Sequence, residues 1–179
     1  ELADAGITSF KIEGRLKNIS YVRNVVRYHS TELDRIAAAH PEKYVRSSFG
    51  KVTTGFTPDP YKTFNRGYTE LFIDGRRGRW AAMDAAKSMG EEVGEISAIS
   101  KDRTMLTVRL KNSSIVLNNG DGFSFIDRKG DITGFRGDVC NGNTIRCKPL
   151  QSISVGVRLF RNINFSFEKE MERQCSARE

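Results

Sequence analysis

Apolar residues follow two different rhythms along this chain, and each predicts a different kind of structure. From about Asn18 onward, Val22, Val26, His29, Leu33 and Ile36 recur at spacings of three and four. That places them on one face of a helix, with Asn18 or Ser20 as its N-cap and Arg23, Arg27, Asp34 and Arg35 elsewhere on its surface. Just upstream, Ile7, Phe10 and Ile12 sit among β-branched neighbours between Gly6 and Gly14, the pattern of a short strand. The opening "ELADAG" reads as the last turn of a helix stopped by glycine. "EGRLKN" is therefore a βα connection. Its Ile-Glu-Gly-Arg tetrapeptide coincides with a protease-recognition sequence, but the flanks are patterned as folded structure and not as spacer.

From about Gly90 to Asn164 the rhythm shortens. "EEVGEISAIS", "RTMLTVRL", "GFSFID", "ITGFRGDV", "NTIRCKPL" and "VGVRLFRN" are six candidate strands. They are separated by "KDR", "NNGDG", "RKGD" and "NGN", where glycine and asparagine supply turn conformations. Strands at this spacing predict a small closed β-barrel or sandwich, and the barrel is the reading preferred. Four segments result: a strand and helix over 1–45, a connecting segment over 46–85, the barrel over 86–166, and a charged tail over 167–179, helical or frayed. The fold class expected is α+β, mainly β.

Composition narrows the chemistry. The 179 residues carry a net charge of +7, which favours a polyanionic partner. Three cysteines, Cys140, Cys147 and Cys175, form no CxxC or Cys/His pattern and suit a reducing cytoplasm better than a disulfide framework. No apolar run approaches a membrane span, and no signal-peptide pattern is present. A first residue other than methionine, in what reads as a helix end, leads us to expect a piece of a longer protein.

Two clusters are candidates for function. In a (β/α)8 barrel, catalytic groups gather on the loops that follow the strands, and the "EGRLK" loop puts Glu13, Arg15 and Lys17 at such a position. Glu13 would accept a proton or hold Arg15, Arg15 offers a planar fork for phosphate or carboxylate, and Lys17 adds charge near a helix N-terminus. A merely ion-paired loop joining strand to helix is the competing explanation. The second cluster lies in "YKTFNRGYTELFIDGRRGRW", where Lys62, Arg66, Arg76, Arg77 and Arg79 outweigh Glu70 and Asp74 by +3. Tyr61, Phe64, Tyr68 and Trp80 interleave with them, as in surfaces that stack bases and meet phosphates. Ordinary packing of the aromatic rings, and pairing of the arginines with Asp74 or the acidic tail, remain open at this point. No Ser/His/Asp, Cys/His or HExxH arrangement is present, and His29 lies within the apolar stripe.

The blocks "LADAGITSFKIEGRLKNISYV", "TFNRGYTELFIDGR", "NNGDGFSFIDRKGDITGFR" and "LFRNINFSFEKEMERQCSAR" resemble the collagenase-like peptidase family, peptidase family U32. The similarity is strongest to long members that form 5-hydroxycytidine on ribosomal or transfer RNA. Leu16 and Asn18 depart mildly from the family's commoner Met and Ser. The resemblance implies that residues 1–45 are the C-terminal strand and helix of a (β/α)8-type catalytic domain. It also implies RNA as partner, the rest of that barrel upstream, and an iron–sulfur cluster held by cysteines upstream and not by this segment, which would be inactive alone. A collagenase-like protease, or a barrel that only binds a partner, are the alternatives, and self-association through an uncovered helix face is a further expectation. "VLNNGDGFSF" and "SISVGVRLFRN" resemble the second domain of elongation factor Tu, which implies a six-stranded barrel of the translation-factor type.

Overall fold

The computed structural model describes residues 1–47, 49, 55–65, 67, 68, 73, 75 and 89–173. The chain divides into two compact units, 1–59 and 60–179. That division falls inside the segment read above as connecting.

In the first unit, Ala5 N–H donates to the Glu1 carbonyl at 2.8 Å, closing one turn, and Gly6 follows with φ 87°. Residues 7–14 then form no strand. The apolar spacing was that of a strand, but a strand is fixed by a neighbour's N–H and C=O groups, and no other described segment of this unit offers a pairing edge. Helix α1 spans Ile19–Ala39. Asn18 caps it as expected, its Oδ1 accepting the Tyr21 N–H at 2.9 Å.

The helix is buried on a face other than its apolar stripe. Ser20, Asn24 and Val25 are covered, whereas Val26 and Leu33 are 46 % and 44 % exposed. Asn24 decides this orientation. Its side-chain amide donates to the Asp59 carbonyl at 2.7 Å and its Oδ1 accepts the Asp59 N–H at 2.9 Å. A buried amide satisfied on both sides costs little, and it ties the helix to the end of its own unit.

The second unit opens with a 3-10 turn, Pro60–Lys62. Among the described residues seven strands follow: β1 Glu91–Ile99, β2 Met105–Leu110, β3 Gly122–Ile126, β4 Ile132–Arg136, β5 Val139–Asn141, β6 Thr144–Arg146 and β7 Arg158–Ile163. Helix α2, Phe165–Arg173, takes up the start of the charged tail. All pairings are antiparallel in the order β4-β3-β7-β1-β2-β6-β5, a sheet curled into a half-barrel with β4 and β5 at its edges.

Seven strands replace the six expected because "ITGFRGDV" does not run straight. It breaks at Gly137–Asp138, where a Cβ on Gly137 would lie 2.8 Å from the Phe123 ring. The chain turns in the space left by the missing side chain and continues as β5. Irregular register in β1, between Glu92 and Gly94 and between Ile96 and Ala98, bends the centre of the sheet.

The concave side is the core. Leu106 and Val108 alternate inward along β2 while Met105 and Arg109 face out. They meet Val93, Ile96, Phe123, Phe125, Ile145 and Leu159, all fully buried. Helix α2 adds Phe167 and Met171, one helical turn apart and both buried, after Asn164 Oδ1 has accepted the Phe167 N–H at 3.1 Å.

Candidate functional site

The loop Glu13–Lys17 is shaped by two local constraints. Lys17 N–H donates to the Gly14 carbonyl at 3.0 Å, which closes a four-residue turn. Leu16 occupies the third place of that turn with φ 60° and is 94 % exposed. A non-glycine residue held left-handed costs roughly 1–2 kcal/mol. Such outliers gather at functional sites. A Cβ at Gly14 would stand 2.9 Å from Val22 Cγ2, so the loop runs close against the first turn of α1.

The three residues singled out in this loop do not form one cluster. Glu13 pairs with Lys11 at 2.7 Å on the surface, not with Arg15. Arg15 is exposed and makes no ion pair among the described residues. Lys17 is half-buried at the foot of the turn. The unpaired guanidinium is the group best placed to meet an outside anion.

Beside this loop, Ile7, Phe10, Ile12, Val26, Leu33 and Ile36 line an open groove of about 620 Å3. Its rim is polar. Asp4 accepts from Lys43 Nζ and from the Tyr44 hydroxyl at 2.7 Å, and these bonds hold its carboxyl far below the usual carboxylate range. Arg46 pairs with Asp34 at 2.6 Å. The apolar stripe of α1 is therefore real, but it faces this groove and not a core.

Of the basic and aromatic cluster, Lys62 is described and Arg66, Arg76, Arg77, Arg79 and Trp80 lie outside the described residues. Lys62 Nζ stands 5.3 Å from the centroid of the Phe167 ring, within cation–π range. Around it the chain folds on itself. Asn65, buried, donates through Nδ2 to the carbonyls of Tyr61 and Thr63 at 3.0 and 3.1 Å and accepts the Gly67 N–H at 3.3 Å. The Tyr68 hydroxyl donates to the Pro60 carbonyl at 2.9 Å. Tyr61 and Tyr68 end up edge to face, 4.7 Å between centroids, and 56 % and 51 % exposed.

A buried ionic network in the half-barrel escaped the sequence reading. Arg161 sits between Glu91, at 2.6 Å, and Asp121, at 3.1 Å. Asp121 also accepts the backbone N–H groups of Asn118 and Phe165, both at 2.9 Å. "NNGDG" announced a turn; nothing local announced that its aspartate anchors α2. Burial pushes both Cys140 and Cys147 up to about 11, and no group of three His, Cys, Asp or Glu side chains among the described residues could hold a metal. An iron–sulfur cluster needs converging thiolates. The described residues do not fit one.

Comparison with known proteins adds identity to this geometry. The model of peptidase family U32 matches residues 1–82. The 23S rRNA 5-hydroxycytidine C2501 synthase of Escherichia coli (strain K12) is 33 % identical over 186 aligned positions, covering 99 % of this chain and 27 % of its own length. The tRNA hydroxylation protein P1 of Bacillus subtilis (strain 168) is 30 % identical over 115 positions, covering 63 % of this chain and 26 % of its own length. The chain thus spans about a quarter of the length of either relative. No solved structure gives a significant match.

Proposed function

Residues 1–82 belong to peptidase family U32, and from that premise we propose that this chain serves an enzyme that hydroxylates cytidine in ribosomal or transfer RNA. The observation that carries the proposal is the 33 % identity to an rRNA 5-hydroxycytidine synthase over 99 % of the chain, which spans the half-barrel as well as the U32 segment. Relatives acting on rRNA and on tRNA agree in substrate class. The net charge of +7 suits a polyanion. Such an enzyme works where RNA is made and modified, which points to the cytoplasm.

In this reading Glu13, Arg15 and Lys17 stand at the mouth of a (β/α)8-type catalytic domain. Arg15, exposed and without an ion pair, grips a phosphate through its planar fork. Glu13 serves as a proton acceptor, its carboxylate paired with Lys11, and Lys17 adds positive potential. The apolar groove of α1 seats against the remaining strands and helices of that domain. Family resemblance assigns an iron–sulfur cluster to the same domain, outside the residues described here. The half-barrel, which we read as a relative of the second domain of elongation factor Tu, docks RNA together with Lys62, Arg66, Arg76, Arg77, Arg79 and Trp80. Proteolysis is the second reading, and its support is the family's own description.

Two measurements test this. In the full enzyme, Glu13→Gln and Arg15→Ala should each abolish 5-hydroxycytidine in digested RNA, read by mass spectrometry, while stability changes by no more than about 1 kcal/mol. Equal loss of folding and product would reduce the loop to a structural part, and peptide cleavage without RNA product would favour the protease. For docking, replacing Arg76, Arg77 and Arg79 together should flatten the log–log dependence of RNA affinity on salt by about two units, since each single-strand phosphate contact contributes roughly 0.7. An unchanged slope would remove these arginines from the interface, and no RNA affinity at all would leave a partner-binding half-barrel.

A further inference from the structure

From the Pro60–Tyr68 loop we infer that Tyr61 and Tyr68 form a stacking platform for unpaired bases, so that the docked RNA is single-stranded where it crosses this loop. The inference rests on the RNA-docking reading above and makes it specific. Two tyrosines more than half exposed, in edge-to-face contact at 4.7 Å between centroids, place two neighbouring aromatic rings at the surface. Rings that only filled a core would be covered.

The loop is also built to hold them. Buried Asn65 bonds three backbone groups of the loop, and the Tyr68 hydroxyl is fixed to the Pro60 carbonyl. Tyrosine has two side-chain torsions, so little freedom remains to be lost when a base arrives. Lys62, next along the chain, lies over the Phe167 ring, and attraction to the RNA backbone comes from the chain's excess positive charge. A duplex hides its base faces in its own stack and would find only the charge.

The experiment uses the whole chain and compares a short oligoadenylate with an RNA duplex of equal length by fluorescence anisotropy. Tyr61→Leu and Tyr68→Leu should each weaken oligoadenylate binding by about 5- to 150-fold, the range found for single stacked bases, and leave duplex affinity unchanged. Tyr61→Phe keeps the ring and should bind as the parent does. Where a leucine variant loses its circular dichroism, the unaltered protein answers instead: irradiated with oligonucleotides carrying 4-thiouridine, it should crosslink at Tyr61 or Tyr68, as mapped by mass spectrometry. Folded leucine variants with parental single-strand affinity, or crosslinks only elsewhere, would overturn the platform while salt-dependent docking stood. A parent that binds neither RNA at low salt would overturn both.

Discussion

Asp121 is the residue on which the half-barrel's interior charge balance turns, and removing its carboxylate should be costly. Its side chain is fully buried and that of Arg161 is 3 % exposed. Asp121→Ala strips Arg161 of one counter-charge and leaves the Asn118 and Phe165 N–H groups without their acceptor. Breaking a buried pair costs about 3–5 kcal/mol. The low end applies here, because Glu91 still pairs with Arg161 and the Val116 carbonyl still accepts from it at 2.6 Å. Two stranded backbone donors, partly reachable by water, add about 1 kcal/mol together. The expected loss is about 4 kcal/mol, a large part of a domain's usual 5–15 kcal/mol. In urea, with a slope near 2 kcal/mol per molar, the midpoint should fall by about 2 M, followed by far-ultraviolet circular dichroism. Arg161→Met should cost less, since Asp121 would keep its two backbone donors. In the double variant the two losses should fall short of their sum by at least about 1.5 kcal/mol. A shift below about 0.5 M for Asp121→Ala, or strict additivity, would show that the network does not hold the fold as argued.

Other outcomes follow from the same geometry. Gly94 has φ 155°, and a Cβ there would lie 2.2 Å from the Arg109 carbonyl oxygen, so Gly94→Ala should destabilise by about 3 kcal/mol or more in the same urea assay; a near-neutral result would mean that β1 and β2 are not so closely paired. With both thiols pushed up from an ordinary 9.0 to about 11, Cys140 and Cys147 should take up iodoacetamide at pH 8 about 100-fold more slowly than an exposed thiol, becoming reactive in urea. Because the neutral thiol is the form the fold favours, their contribution to stability is intact below about pH 9 and is lost as pH rises towards 11; labelling of native protein at the unfolded rate would contradict it. Asp4 is held ionised by Lys43 and Tyr44, so its bond to the segment after α1 persists above the ordinary carboxylate range and is lost as pH falls below it. Its carboxyl carbon resonance should titrate closer to the ordinary value in Lys43→Met, where the Tyr44 bond remains, than in the parent; coincident titrations would break the assignment.

Much of this architecture could be read from the sequence because it depends on local chemistry. Asn18 caps α1 with its own side chain, and the turns after β1, β3 and β5 use the asparagines, aspartates and glycines that mark them. The core of β2 follows simple alternation. What could not be read depends on partners distant along the chain. Ile7, Phe10 and Ile12 have a strand's spacing, but a ladder requires a second edge that no local pattern reports. The α1 stripe predicted a face that needs covering and could not say that Asn24, a polar residue, would set which side is buried. The split of "ITGFRGDV" depends on the Phe123 ring lying over Gly137. Arg161 reads as one more basic residue until folding brings Glu91 and Asp121, 70 and 40 positions away, to its guanidinium. In the candidate site, the Arg15 loop was visible as the lead into α1, whereas the absence of a strand before it and the pairing of Glu13 with Lys11 were not.

The position of β7 sets a timetable for synthesis. It lies between β3 and β1, and its residues 158–163 are the last strand of this sheet to leave the ribosome. Until then β3–β4 and β1–β2–β6–β5 are two separate pieces, each with a bare edge where β7 belongs. Pairings such as Glu91 with Arg161 close over long stretches of chain, and contacts of that kind slow folding and lengthen the exposure of unpaired edges. A ribosome stalled before residue 158 would therefore display two sticky sheet fragments, and release of the final strand would convert them together into one sheet.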